Sequence, residues 1–329
     1  MRDDGKSIII ITHKLNEVME ISDRVAVLRK GEHIATVNTA ETSAQQLTEM
    51  MVGEKISLNI DRTEPHDSVD RLVVNHLSAL NHDGIKVLDD VSFTAKSGEI
   101  LGIAGIAGSG QKELLEAIAG LQKLNEGEIA YFDPSKDNEK VDLRSKTPVQ
   151  IRELSFVPED RLGMGLVGNM DLVDNMMLRS YRKGIPFFVD RKKPKDLAET
   201  IVHDLEVATP STHTPVRRLS GGNVQKVLVG REIAASPTVL MAAYPVRGLD
   251  INSSYMIYNL LNEQKEKGVA VIFVGEDLDV LIELCDRIMV LCGGKITGIV
   301  DGRHAVKEQL GLLMTKHEDD KKEADDNVE

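Results

Sequence analysis

One segment of this chain recurs at a fixed distance, and that constrains the fold more than any other feature. Thr12-His13-Lys14-Leu15, then Ile21-Ser22-Asp23-Arg24-Val25-Ala26-Val27-Leu28, runs in step with Gly275-Glu276-Asp277-Leu278, then Leu284-Cys285-Asp286-Arg287-Ile288-Met289-Val290-Leu291, always 263 positions apart. A constant offset marks two copies of one unit. Each copy reads as a buried strand, a short helix and a hairpin, with Ser7 to Ile11 the expected first strand. Some fifty residues of this kind are too few to enclose a core. Residues 1–56 are therefore expected to be the C-terminal remnant of a first unit, with an upstream part on the order of two hundred residues missing, and 57–71 a polar linker.

The second copy is expected over 72–310. Ile100-Leu101-Gly102-Ile103-Ala104 runs into Gly105-Ile106-Ala107-Gly108-Ser109-Gly110-Gln111-Lys112, and a helix follows. Strand, glycine-rich loop and helix in that order can cradle a phosphate with backbone N–H groups. Strands near 153–157, 238–243 and 269–274 alternate with helices, which gives an α/β class with a parallel sheet. Helical periodicity from about 172 to 235 suggests an inserted helical subdomain. Within it, Leu219-Ser220-Gly221-Gly222-Asn223 opens a helix whose free N–H groups and dipole favour an anion.

The net charge of −13 argues against a nucleic-acid partner held by bulk charge. Part of the excess lies in residues 311–329, expected to be an acidic disordered tail. Cys285 and Cys292 suit reduced thiols, and no Cys/His cluster suggests a metal site.

The order of these motifs resembles the nucleotide-binding domain of ATP-binding-cassette (ABC) transporters, a P-loop NTPase-like fold. Leu-Ser-Gly-Gly, the upstream glycine loop, Gly248-Leu249-Asp250 after an apolar strand, and the later switch position all follow that family's sequence. Val157-Pro158-Glu159-Asp160-Arg161 with Gly165-Leu166-Val167 is similar to the second cassette of tandem ATPases of simple-sugar importers; Gly-Ser-Gly-Gln and Tyr244-Pro245-Val246-Arg247-Gly248-Leu249-Asp250 look more like the nucleoside branch.

The resemblance also exposes what is absent. Gln111 stands where the family has the phosphate-binding Lys, and Lys112 where it has the Ser/Thr of the magnesium site. Ala243 and Tyr244 replace the Asp that serves magnesium and the Glu that serves the attacking water; Tyr, with a pKa near ~10, is a poor base. Glu159 takes the usual Gln position and Glu276 the switch-His position, where its charge opposes a γ-phosphate; His82 is a weak substitute for an adenine-stacking aromatic.

The first copy keeps His13 at the switch position, the expected catalytic contact to a γ-phosphate. In the family two cassettes face each other head to tail. The resemblance therefore implies that Ser220, Gly221, Gly222 and Asn223 complete the ATP site of the missing first cassette. Gly105, Gly108, Ser109, Gly110, Gln111 and Lys112 would form a degenerate phosphate loop, and Asp250 would couple the sites. Implied cofactors are ATP and Mg2+, the metal held mainly by the missing cassette. Implied partners are that cassette, integral-membrane permease subunits meeting the Asp174–Lys183 region, and indirectly a substrate-binding lipoprotein, at the cytoplasmic face of the cell membrane. Two alternatives stand beside this importer subunit: a soluble tandem ATPase acting on ribosomes, disfavoured by the acidic 57–70 segment, and an inactive truncated fragment.

Overall fold

The computed structural model describes residues 4–12, 15–29, 31–53, 60, 62–66, 68–81, 83–145, 154–181 and 190–315. The chain divides into two compact units, Met1–Asn59 with Leu249–Met256, and Ile60–Gly248 with Ile257–Glu329.

In the first unit a short helix α1 (Leu15–Ile21) leads into the hairpin β1 (Arg24–Arg29) and β2 (Glu32–Asn38), and then α2 (Ala44–Val52). Ser43 caps α2 by accepting from Gln46 N at 3.2 Å, and Gly53 ends it in the left-handed region at φ 93°. Val27 and Leu47 are its buried apolar anchors.

The second unit continues with β3 (Asp70–Leu80), β4 (Lys86–Lys96), β5 (Ile100–Gly105), α3 (Gln111–Ile118), β6 (Glu126–Asp133), β7 (Glu139–Asp142) and β8 (Leu154–Val157). Then come the helices α4 (Leu172–Met177), α5 (Lys192–Asp204) and α6 (Gly221–Ala234), followed by β9 (Val239–Ala243) and α7 (Ile251–Glu266). The order closes with β10 (Ala270–Val274), α8 (Leu278–Leu284), β11 (Arg287–Cys292), β12 (Lys295–Asp301) and α9 (Lys307–Thr315).

Six strands form one sheet in the order β12-β11-β5-β10-β9-β8, parallel except for the β11–β12 hairpin. β9 and β10 are buried along their whole length, as continuous apolar runs covered on two faces must be. An antiparallel sheet, β4-β3-β6-β7, shares its core: Leu72 and Phe93 of that sheet, Leu101 and Met241 of the parallel one, and Leu115 of α3 belong to one cluster. Truncating a fully buried leucine such as Leu101 to alanine costs about 2–5 kcal/mol in sites of this kind.

The repeat reappears element by element. α1, β1, β2 and α2 have the bounds of α8, β11, β12 and α9 shifted by the same 263 positions, and the hairpins carry a register break at Val27/Leu28 and at Val290/Leu291. Their surroundings differ. β11 pairs in parallel with β5 and is buried, whereas β1 pairs only with β2 among the described residues.

This difference corrects one expectation. Ile8 to Ile11 form no strand: Ile9 and Ile11 are 92% and 99% exposed, while Ile272 and Val274, at the same offset, lie buried in β10 between β5 and β9. A strand is made by its ladder, and the first unit has no counterparts of β5 and β9 among its described residues.

The expected linker also differs. Ile60 is buried, and Arg62 donates to Ile282 O at 3.0 Å. The buried Lys265 ammonium donates to Thr63 O (2.5 Å) and Asp286 Oδ1 (2.7 Å), and Asp286 Oδ2 accepts from Ile100 N (2.8 Å). Arg62 is thus tied to α8, and Thr63 to the start of β5 through Lys265 and Asp286. At the other end α9 runs to Thr315, inside the stretch expected as tail, because Leu310 is fully buried; 316–329 lie outside the described residues. The helical region 172–235 holds α4, α5 and α6, and the expected break at 183–186 lies outside the described residues.

Candidate functional site

The glycine loop runs from the end of β5 to the start of α3. Gly110 caps α3 at φ 102°, a left-handed conformation, and a Cβ there would come within 2.6 Å of Val87 O, so glycine is required. Gly108, at φ 85°, faces open space. Ser109 N donates to Ile106 O at 3.0 Å. Gln111 is buried and turns back into its own loop: Nε2 donates to Ile106 O at 3.2 Å, beside Gly105. Lys112 is exposed and reaches Glu116 at 3.8 Å, on the helix surface. Burial pushes the Glu116 carboxyl up, against the opposing charge of Lys112.

At the end of β9, buried Ala243 presents a methyl group. Tyr244 follows at φ 48°, its N–H bonded to Val274 O at 2.9 Å, and Arg247 N closes a turn onto Tyr244 O at 3.1 Å. Arg247 then pairs with two carboxylates, through Nη1 with Glu159 and through Nε with Glu276 at 3.3 Å. Burial raises the Tyr244 phenol above its ordinary value, and the charges of Glu159 and Glu276 push the same way. A cleft of about 320 Å³ opens beside Ala243, Glu159 and Lys112.

The second loop starts α6. The Ser220 hydroxyl oxygen caps the helix, accepting from Asn223 N (3.4 Å) and Asn223 Nδ2 (2.9 Å), while Asn223 Oδ1 accepts from Ala208 N (2.9 Å). Ser220 and Gly221 are exposed, and the first N–H groups of a helix have no intrahelical acceptor. Arg161, half-buried in the π-helical turn Arg161–Gly165, spans two loops: Nη1 donates to Gly221 O at 3.2 Å and Nη2 donates to Arg247 O. Burial pushes the Arg161 guanidinium below its usual value, though an arginine stays charged.

Asp250, in the first unit, accepts from Ser253 N (3.0 Å) and Ser253 Oγ (2.8 Å) at the start of α7. His13 and His82 lie outside the described residues. The glycine loop and the Ser220 loop thus sit at the starts of different helices, α3 and α6, and no hydrogen bond joins them among the described residues. Sequence reasoning gave Arg161 and Arg247 no role. No local pattern signals these roles, because the bonds join residues 60 to 88 positions apart.

The two loops differ in what they can hold. Magnesium takes oxygen ligands, and the Ala243 and Lys112 side chains supply none, so these two residues do not fit the metal; Glu159, which lines the same cleft, is paired with Arg247. The exposed start of α6, with a hydroxyl and free N–H groups, fits a phosphate. Among the described residues no group of His, Cys, Asp and Glu is arranged to hold a metal ion, and no helix is long and apolar enough to cross a membrane.

Solved structures decide the fold. A nucleotide-free ATP-binding cassette from an ABC transporter superposes over 75% of this chain and 96% of its own, with a TM-score of 0.60 at 20% identity. The chain has an ATP-binding cassette fold. A dimeric bacterial ABC transporter cassette matches over 71% of this chain and all of its own, with a TM-score of 0.59 at 24% identity. Residues 88–245 match the sequence model of the ABC transporter family. The chain is 37% identical over 322 residues to a glucose import ATP-binding protein of Haloferax volcanii, covering 96% of this chain and 57% of that protein. It is 37% identical over 317 residues to a guanosine import ATP-binding protein of Bacillus subtilis (94% and 61%), and 36% over 319 residues to a nucleoside import ATP-binding protein of Lactococcus lactis (94% and 61%). The chain thus spans about three fifths of the length of these relatives.

Proposed function

We propose that the chain is part of the energising ATPase of an importer for nucleosides or simple sugars, and that its Ser220–Asn223 loop completes an ATP site whose phosphate loop belongs to a first cassette. The relatives' names support the importer class. The element-by-element repeat supports a tandem arrangement.

The observation that carries the site assignment is the contrast between the loops: an open helix start at Ser220, and a glycine loop whose Gln111 is turned inward beside an alanine and two carboxylates. ATP with magnesium supplies phosphoryl transfer to water. Ser220 and the N–H groups of Gly221 and Gly222 bind the terminal phosphate. His13, at the repeat position of Glu276, meets the same phosphate from the first-cassette side. Permease subunits at the cytoplasmic membrane face are the partners, with a substrate-binding lipoprotein reached through them.

Equilibrium binding of MgATP tests this. The chain alone should bind with a Kd weaker than about 1 mM, a free energy of about −4 kcal/mol. Adding a first cassette with an intact phosphate loop should create a site that Gly222→Asp abolishes. Equal binding with Gly222→Asp would refute the assignment.

A further inference from the structure

The segment between β8 and α4 is tied at three points to elements that flank it. Glu159 pairs with Arg247. Arg161 donates to Gly221 O and to Arg247 O. Gly165 O accepts from the buried Arg231 of α6 at 2.7 Å. Asp160 holds the π-helical turn between these points, accepting from Gly163 N at 2.8 Å. Single π-helical turns are rare and interrupt the normal bonding ladder. Here the turn aims one guanidinium at two backbone carbonyls on different loops.

We propose that Arg161 is a positioning residue that locks the Ser220–Gly222 loop to the Tyr244–Arg247 turn. It thereby presets the start of α6 in its phosphate-accepting form before any nucleotide arrives. The proposal rests on the reading that this loop binds a phosphate. Gly221 O is the carbonyl of the first residue of α6, and fixing it fixes the directions in which the neighbouring N–H groups point. A Cβ on residue 221 would lie 3.2 Å from Arg161 Nη1, so the glycine admits the close approach of the guanidinium. The turn at the other end is held as well, because Glu159 and Glu276 pair with Arg247. A guanidinium can bridge the two carbonyls because its donors lie in a rigid fork, whereas a lysine ammonium is a single point.

Amide hydrogen exchange on the full chain, read by NMR without nucleotide or a second cassette, tests the lock. Failure of the phosphate reading leaves this measurement untouched, and failure of the lock leaves the MgATP measurement untouched, so the two separate. Arg161→Ala should speed exchange at Asn223, Val224 and Arg247, whose N–H groups are hydrogen-bonded within the two loops, by roughly tenfold or more, as loss of charge-assisted hydrogen bonds implies. Exchange in β5 and β10 should be unchanged. Millimolar guanidinium should restore slow exchange in Arg161→Ala, and Arg161→Lys, able to reach one carbonyl, should restore it in part. If Arg161→Ala fails to fold, Arg161→Lys is read alone, with partial loosening expected at the same two loops. Exchange unchanged at those loops, or accelerated equally throughout, or insensitive to guanidinium, would overturn the proposal.

Discussion

Arg247 forms an ion pair with Glu159, a residue 88 positions earlier, and so closes the turn after β9 onto the segment after β8. The same guanidinium reaches Glu276 at 3.3 Å. One cation therefore pairs with two carboxylates that stand where the resemblance to ABC transporters implies a glutamine and a histidine, and the cluster keeps one negative charge.

Removing that cation should expose the repulsion. The three side chains are partly exposed, so the effect is that of surface pairs, about 0–1 kcal/mol each. Arg247→Ala should lower the urea midpoint measurably, and Glu159→Gln added to it should recover part of the loss. A midpoint that falls further with the second change would show that the carboxylates do not repel.

The chain alone should release no magnesium-dependent phosphate from ATP above a Ser220→Ala control. Gln111→Lys should not create activity, because Ala243 still offers no oxygen and Tyr244 no base. Colorimetric phosphate release measures this. Activity in Gln111→Lys would mean that the glycine-loop site retains its other catalytic groups.

Tyr244 should titrate late. Its phenol is raised in the folded chain, so folding holds the proton more tightly than the unfolded chain does. Its contribution to stability is then present below the unfolded value near ~10 and is lost as pH rises through the folded value. The alkaline absorbance change missing in Tyr244→Phe should have its midpoint above pH ~10. A midpoint below that would place the phenol next to a positive field rather than between two carboxylates.

Residues 8–11 should exchange amide protons at least a hundredfold faster than 271–274, because the first have no ladder among the described residues and the second are paired on two sides. Equal protection would mean that the isoleucines find a partner in solution.

Much of this was legible in the sequence. The 263-residue offset pointed to both hairpins and the helix before each, since local apolar periodicity and the Lys30-Gly31 turn are short-range signals; the helices after them, α2 and α9, were not read. The glycine loop and the capped start of α6 were readable for the same reason. Ile8–Ile11 misled because apolar character says a segment can be a strand, while only partners make it one. The Arg161 and Arg247 bonds were invisible because they join residues 60 to 88 positions apart, which no local pattern encodes. Gln111 was read as a missing charge. Its inward turn onto Ile106 O depends on the loop geometry set by Gly108 and Gly110.

On the function proposed above, the Ser220 loop works for a phosphate held elsewhere while the glycine loop does no chemistry. The most direct test is ATP turnover by the tandem protein that joins this chain to an intact first cassette, carrying single changes here. Gly222→Asp should reduce turnover by roughly 10- to 100-fold or more, as loss of charged hydrogen bonds to a phosphate implies. Gln111→Leu, which keeps the volume of a buried side chain, should retain more than about half, because no transition-state contact is removed. Gln111→Leu as damaging as Gly222→Asp, or Gly222→Asp without effect, would contradict the account.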